Sequence, residues 1–147
     1  MNQPEFSTFL YEQFERYAVA PKTICFEITE TVAISNFDNA IDSIEQLKSI
    51  GCSIALDDFS SGMSSFNYLK NLPVDYLKID SSFIKNIAKD RLDYATIECF
   101  HNISQIMKIK TIAEFIENEA ILCDLKQIGI DYAQGYQIGK PQPLSFS

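Results

Sequence analysis

The sequence predicts an α/β fold of the (β/α)-barrel type, on two observations. Strand-like apolar runs alternate with helix-periodic segments at intervals of roughly 22 to 34 residues, the pattern of a parallel sheet built from βα units. The polar residues capable of chemistry lie at or next to the C-terminal ends of those runs, and they come from consecutive strands. A barrel assembles its active site from several strand ends in this way, whereas an open doubly wound sheet concentrates its ligand contacts at one switch point. Composition agrees with a globular chain: of the 147 residues, 46% are apolar and 22% charged, richer in core formers than a disordered segment.

Each element has its own signal. Pro4 to Val19 reads as a helix, with Phe6, Phe9, Leu10 and Phe14 recurring at helical spacing. Thr23 to Thr29 reads as a strand. Asn36 is placed to cap a helix that carries Ile41, Ile44, Leu47 and Ile50 and ends at Gly51. Ser53 to Asp58 is a second strand, followed by the small-residue loop Ser60-Ser61-Gly62 and a short helix around Phe66 to Leu69. Pro73 precedes a third strand, Asp75 to Asp80. Leu92, Ala95, Cys99, Ile103 and Ile106 mark a longer helix. Lys110 to Glu114 is a fourth strand, Glu119 to Gln127 a helix, and Asp131 to Gln134 a short fifth strand.

The strand ends supply Glu27, the pair Asp57 and Asp58, Lys78, Glu114 and Gln134. Alternation along a strand ties their orientation to the apolar residues beside them. If Glu27 points inward, then Ile24, Phe26 and Ile28 point outward onto the helices. The same parity puts Lys78 inward and Leu77 and Ile79 outward. Taken singly, each has a plain explanation: a solvated carboxylate for Glu27, turn chemistry for Asp57-Asp58 ahead of Ser60-Ser61-Gly62. Lys78 resists one, because an ammonium buried in an apolar strand needs carboxylates around it. Carboxylates packed together in turn disfavour one another's charge unless a cation joins them. A hard divalent ion with oxygen ligands, Mg²⁺ or Mn²⁺, suits such a set. Asp57 and Asp58 in series could hold two ions about 4 Å apart, an arrangement that activates water and stabilises in-line displacement at phosphorus.

Charge narrows the function classes. Twelve Lys+Arg face 20 Asp+Glu, a net charge of −8. That argues against unaided binding of a DNA or RNA backbone or of an anionic membrane. Bound cations would let an acidic protein hold an anionic substrate. The longest apolar runs are about five residues, against the ~20 needed to span a bilayer, and no basic stretch introduces an apolar one at the N-terminus. Cys25, Cys52, Cys99 and Cys123 show no C-x-x-C spacing and sit in apolar stretches, so they read as buried, reduced thiols of a cytoplasmic protein. His101 is the only histidine, which leaves oxygen ligands as the main metal donors.

Five separated motifs now stand in order: Phe26-Glu27-Ile28-Thr29-Glu30, Ala55-Leu56-Asp57-Asp58-Phe59, Leu72-Pro73-Val74-Asp75-Tyr76-Leu77-Lys78-Ile79-Asp80, Ala113-Glu114-Phe115-Ile116-Glu117 and Gln134-Gly135-Tyr136. The series resembles the successive motifs of EAL domains, bacterial phosphodiesterases that cut cyclic di-GMP to linear pGpG, and it extends over essentially the whole chain. The resemblance implies a TIM-like barrel with Mg²⁺ or Mn²⁺ at the strand ends. It implies metal ligation by Glu27, Asp57 and Asp58, orientation of the attacking water by Lys78, and a ligand or general-base role for Glu114. Glu117 and Gln134 would support the site or touch substrate. Glu30 would hold the loop from Phe59 to Ser65, which in the family links the metal site to a dimer interface.

The departures set further expectations. A complete barrel needs ~250 residues, and residues 1–147 read as its C-terminal portion, with about five of eight strands present. No Glu-Ala-Leu occurs, and the strand that supplies a metal-binding asparagine in the family is also absent. Phe115 stands where many members have glycine, and Ser60-Ser61-Gly62 where many have Gly-Thr-Gly. The chain alone is therefore expected to turn over negligibly and to self-associate through its open strand edge. In the longer protein, upstream signalling domains are expected to lie outside this segment, and any membrane anchor would lie there too. A non-catalytic cyclic di-GMP receptor is the alternative. A Schiff-base lyase using Lys78 as nucleophile is a third reading, disfavoured by the surrounding carboxylates.

Overall fold

The computed structural model describes residues 3–60 and 63–143. The chain forms two compact units, Met1–Leu77 and Lys78–Ser147. Ser61 and Gly62 of the predicted loop lie outside the described residues.

The first unit contains α1 (Gln3–Arg16), β1 (Cys25–Thr29), α2 (Glu30–Ser35), α3 (Phe37–Ile50), β2 (Ser53–Phe59) and α4 (Met63–Leu69). It ends inside β3 (Tyr76–Ile79). Strands β1 and β2 are parallel, with Phe26 beside Ile54, Glu27 beside Ala55 and Thr29 beside Asp57. One face of β1 is apolar: Ile24 and Phe26, together with Phe14 and Leu47, surround buried Leu10, Ile50 and Cys52. Phe6 of α1 meets the Phe26 ring edge-on, 6.4 Å between centroids. The opposite face carries Cys25 and Glu27, both exposed. The alternation expected from the sequence therefore holds in β1.

The second unit contains the end of β3, then α5 (Ser81–Asn86), α6 (Arg91–Ile106), β4 (Lys110–Ala113), α7 (Glu119–Ile128) and β5 (Tyr132–Ala133). Strands β4 and β5 are parallel. Phe83 of α5 meets Phe100 of α6 edge-on at 5.7 Å, and Ile84, Ile97, Ile121 and Leu125 are buried. Each such side chain contributes about 1.5–3 kcal/mol through burial.

A polar device repeats in both units where a strand begins. Asp75, just before β3, accepts the Ile54 amide of β2 at 2.9 Å, and Lys48 of α3 donates to the other carboxylate oxygen at 2.7 Å. Asp131, just before β5, accepts the Thr111 amide of β4 at 2.8 Å and the Gln105 side chain of α6 at 3.1 Å. In each case one aspartate joins a strand start to the preceding strand and its helix. The second clamp reaches His101. Thr111 Oγ1 donates to Asp131 at 3.1 Å, since a carboxylate only accepts, and so His101 Nδ1, 2.9 Å away, carries the proton it donates to Thr111. Asp75→Ala is expected to cost about 1–2 kcal/mol. The half-exposed ion pair contributes little, but the Ile54 amide loses its acceptor. Denaturant titration measures it; a change within about 0.5 kcal/mol, as at an ordinary surface site, would contradict the clamp.

Several expectations need correction. Cys52 is buried, which raises its thiol pKa, and all four cysteines are free; Cys25, Cys99 and Cys123, however, are exposed. Cys25 alternates onto the open face of β1, and the other two lie on outer faces of amphipathic helices. Asn36 makes no side-chain cap; it joins α3 to α2, and α2 is a six-residue helix that the sequence pattern did not reveal. The first helix stops at Arg16 rather than Val19, because Ala18 turns left-handed (φ 52°) and the Val19 amide folds back onto the Phe14 carbonyl. In α6 the buried side is Ile97, Phe100, His101 and Ser104, while Leu92 and Ile106 are exposed. Among the described residues no helix is long and apolar enough to cross a membrane.

Candidate functional site

Each unit carries its own set of polar strand ends. In the first, alternation places Glu27 and Asp57 on the same face of the β1–β2 pair, offset by two positions in register. Asp58 would fall on the other face of an unbroken strand. Its backbone is instead left-handed, φ 56°, and its amide donates to Asp57 Oδ1 at 3.0 Å. Aspartate tolerates this conformation better than most side chains. The twist releases two consecutive carboxylates from strict alternation. Phe59 then returns to the core, edge-on to Phe66 at 5.2 Å. Glu30, the first residue of α2, is only 6% exposed, and its Oε2 accepts the Ser60 amide at 3.2 Å. The Thr29 hydroxyl caps this helix by accepting from Val32, so strand and helix meet at one fixed corner.

In the second unit, Lys78 is 6% exposed and its Nζ lies 2.9 Å from Glu114 Oε1. The cation that needed carboxylates has one. Glu114 follows β4 directly, and Phe115 after it is left-handed, φ 58°. Glu114, Phe115, Glu117, Gln134, Gly135 and Tyr136 line one open concavity of about 300 Å³. Backbone bonds hold its two walls together: Gln134 N to Ala113 O at 2.8 Å, Ile116 N to Gln134 O at 3.1 Å and Gln137 N to Ile116 O at 2.9 Å. This approach is so close that a Cβ on Gly135 would sit 2.2 Å from the Ile116 nitrogen. The glycine of Gln134-Gly135-Tyr136 is thus a steric requirement. The ring of Phe115 and that of Tyr136, both exposed, are lining residues that the strand-end pattern did not single out.

The donor set has the right chemistry for a hard cation, being carboxylate oxygen throughout. Among the described residues, though, no three metal-type side chains come together.

The chain matches the model of the EAL domain family over residues 1–141. It is 47% identical over 137 residues to the cyclic di-GMP phosphodiesterase PdeB of Shewanella oneidensis, covering 93% of this chain and 16% of that protein. It is 40% identical over 142 residues to the cyclic di-GMP phosphodiesterase PdeF of Escherichia coli, covering 97% and 19%. The chain thus spans less than a fifth of these relatives. Among solved structures it resembles the FimX EAL domain of Xanthomonas citri in complex with c-diGMP, with TM-score 0.91 at 25% identity, covering 98% of this chain and 57% of that one. It also resembles the PaMucR phosphodiesterase in its c-di-GMP complex, with TM-score 0.84 at 34% identity, covering 90% and 54%. The α/β strand order, the five motifs and these likenesses agree on a TIM-like fold, represented among the described residues by five strands: the chain belongs to the EAL domain family.

Proposed function

We propose that the chain is the C-terminal part of a phosphodiesterase domain that hydrolyses cyclic di-GMP to linear pGpG in bacterial second-messenger signalling. The observation that carries this reading is the Lys78–Glu114 ion pair at consecutive strand ends, an ammonium almost fully buried against a carboxylate that also lines the open concavity. A buried charge pair is costly to build and rarely contributes to stability, so its placement where a phosphodiester would react favours a functional origin.

In this reading Glu27, Asp57 and Asp58 hold Mg²⁺ or Mn²⁺, which when bound acidifies water and neutralises the phosphodiester's charge. Lys78 orients the water nucleophile, and Glu114 either accepts its proton or shares in metal ligation. Glu30 fixes the loop that begins at Ser60, while Glu117 and Gln134 face the nucleotide from the concavity. The protein works in the cytoplasm, as a homodimer and under the control of upstream signalling domains. Residues 1–147 are the C-terminal portion of one barrel and do not turn over substrate unaided.

Carboxylate donors select hard ions by size, and Ca²⁺ bonds are longer and looser than those of Mg²⁺. Mg²⁺ or Mn²⁺ is therefore expected to support hydrolysis by the complete domain, and Ca²⁺ to inhibit it. Chromatographic quantification of pGpG with each ion checks this. Hydrolysis in Ca²⁺ as fast as in Mg²⁺ would count against carboxylate-held metal at these strand ends.

A further inference from the structure

We infer that Lys85, on α5, is a positioning residue for Glu114, acting through the ring of Phe115. A left-handed backbone is unusual and strained for a bulky side chain; Phe115 adopts it at φ 58°. The turn lets two adjacent side chains serve different neighbours. Glu114 meets Lys78, which leads into α5, and the Phe115 ring lies under the ammonium of Lys85 within α5, 5.1 Å from Nζ to the ring centroid. The connections after β3 and β4 are thus fastened twice, by an ion pair and by a cation–π contact.

Half of the Phe115 surface is open, 52%, so packing alone does not hold the ring. Lys85 sets its ammonium over the ring from a helix whose start is fixed by Asp80 accepting the Ser82 amide at 2.7 Å. If the ring is released, a left-handed phenylalanine gains by relaxing towards negative φ, and rotation there swings the carboxylate that precedes it. Glycine, free at positive φ, would need no anchor. The inference concerns the ion pair and stands whether or not the assembled domain hydrolyses cyclic di-GMP.

The test is a cycle of four proteins in the 147-residue chain: the parent, Lys85→Ala, Phe115→Gly and Lys85→Ala/Phe115→Gly, with Lys85→Arg as the conservative variant. The readout is the ¹⁵N-detected ammonium signal of Lys78 and its rate of hydrogen exchange, with circular dichroism to establish folding. An exposed cation–π contact corresponds to roughly two- to five-fold in a population. Lys85→Ala is expected to speed Lys78 exchange by about that factor, and Lys85→Arg to restore the parent rate. In the Phe115→Gly background, removing Lys85 should change nothing. Equal acceleration by Lys85→Ala in both backgrounds would overturn the proposal, because the lysine would then act by charge rather than through the ring. So would an unchanged rate in Lys85→Ala. If Lys85→Ala fails to fold, the comparison of parent, Lys85→Arg and Lys85→Gln decides: Gln must accelerate exchange while Arg does not.

Discussion

Lys78→Ala is expected to abolish cyclic di-GMP hydrolysis by the complete domain and to destabilise the second unit as well. The rate loss should reach about 10²–10⁴-fold, the range for a lost proton-handling or water-orienting group. The stability cost comes from Glu114, whose side chain is 16% exposed and would be left without its cation. Breaking a fully buried pair costs about 3–5 kcal/mol; partial access to water reduces that to about 2–3 here. Asp57→Asn provides the contrast. Asp57 is only half-buried on the face it shares with exposed Glu27, so its loss should cost a similar factor in rate and little in stability. Parallel assays of pGpG formation and denaturant unfolding separate the two effects. A Lys78→Ala domain that keeps near-normal turnover would remove Lys78 from the chemistry altogether.

Among the described glycines, Gly135→Ala is expected to be the most damaging alanine substitution. Its Cβ would meet the Ile116 nitrogen at 2.2 Å and the Ile116 carbonyl oxygen at 2.6 Å. Both are backbone atoms, which cannot swing aside as a side chain can. Relief requires parting the walls and stretching the Ile116–Gln134 and Gln137–Ile116 hydrogen bonds. Overpacking of this kind costs about 3 kcal/mol or more, which for a chain of this size lowers the melting temperature by about 6–12 °C. Gly139→Ala is the internal control, since nothing lies within 4 Å of its added Cβ. A scanning melt of both variants decides it; equal melting temperatures would show that the concavity is not built on this contact.

What could be read without coordinates follows the physics of each signal. The alternation of Phe26 with Glu27 was legible because one face of β1 packs on helices and the other does not. Lys78 stood out because an ammonium in an apolar strand demands an explanation, and Glu114 supplies it. The short helices α2 and α5 were not legible, since six residues are too few to show a 3.6-residue period; their signal is the cap, Thr29 in one and Asp80 in the other. The face of α6 was misleading for a different reason. Its buried side includes His101 and Ser104, one of them spent on the Thr111–Asp131 network, so polar letters hide a core position. The strand clamps were missed because a side chain bonding a backbone amide leaves no periodic trace. The repeat of Asp-Tyr at Asp75-Tyr76 and Asp131-Tyr132 was the available hint. The positive φ of Phe115 could not be read from the residue itself, since a bulky side chain usually avoids it, whereas Asp58 is of a type that tolerates it.

The most direct test of the central claim is the conversion of cyclic di-GMP to pGpG by the complete domain, followed by chromatography in Mg²⁺ beside its Asp57→Asn variant and the 147-residue chain alone. The account predicts steady pGpG formation by the complete domain and none above background from the variant or the isolated chain. A complete domain that binds cyclic di-GMP and leaves it intact would contradict the account and make the protein a receptor; rapid turnover by the 147 residues alone would contradict it from the other side.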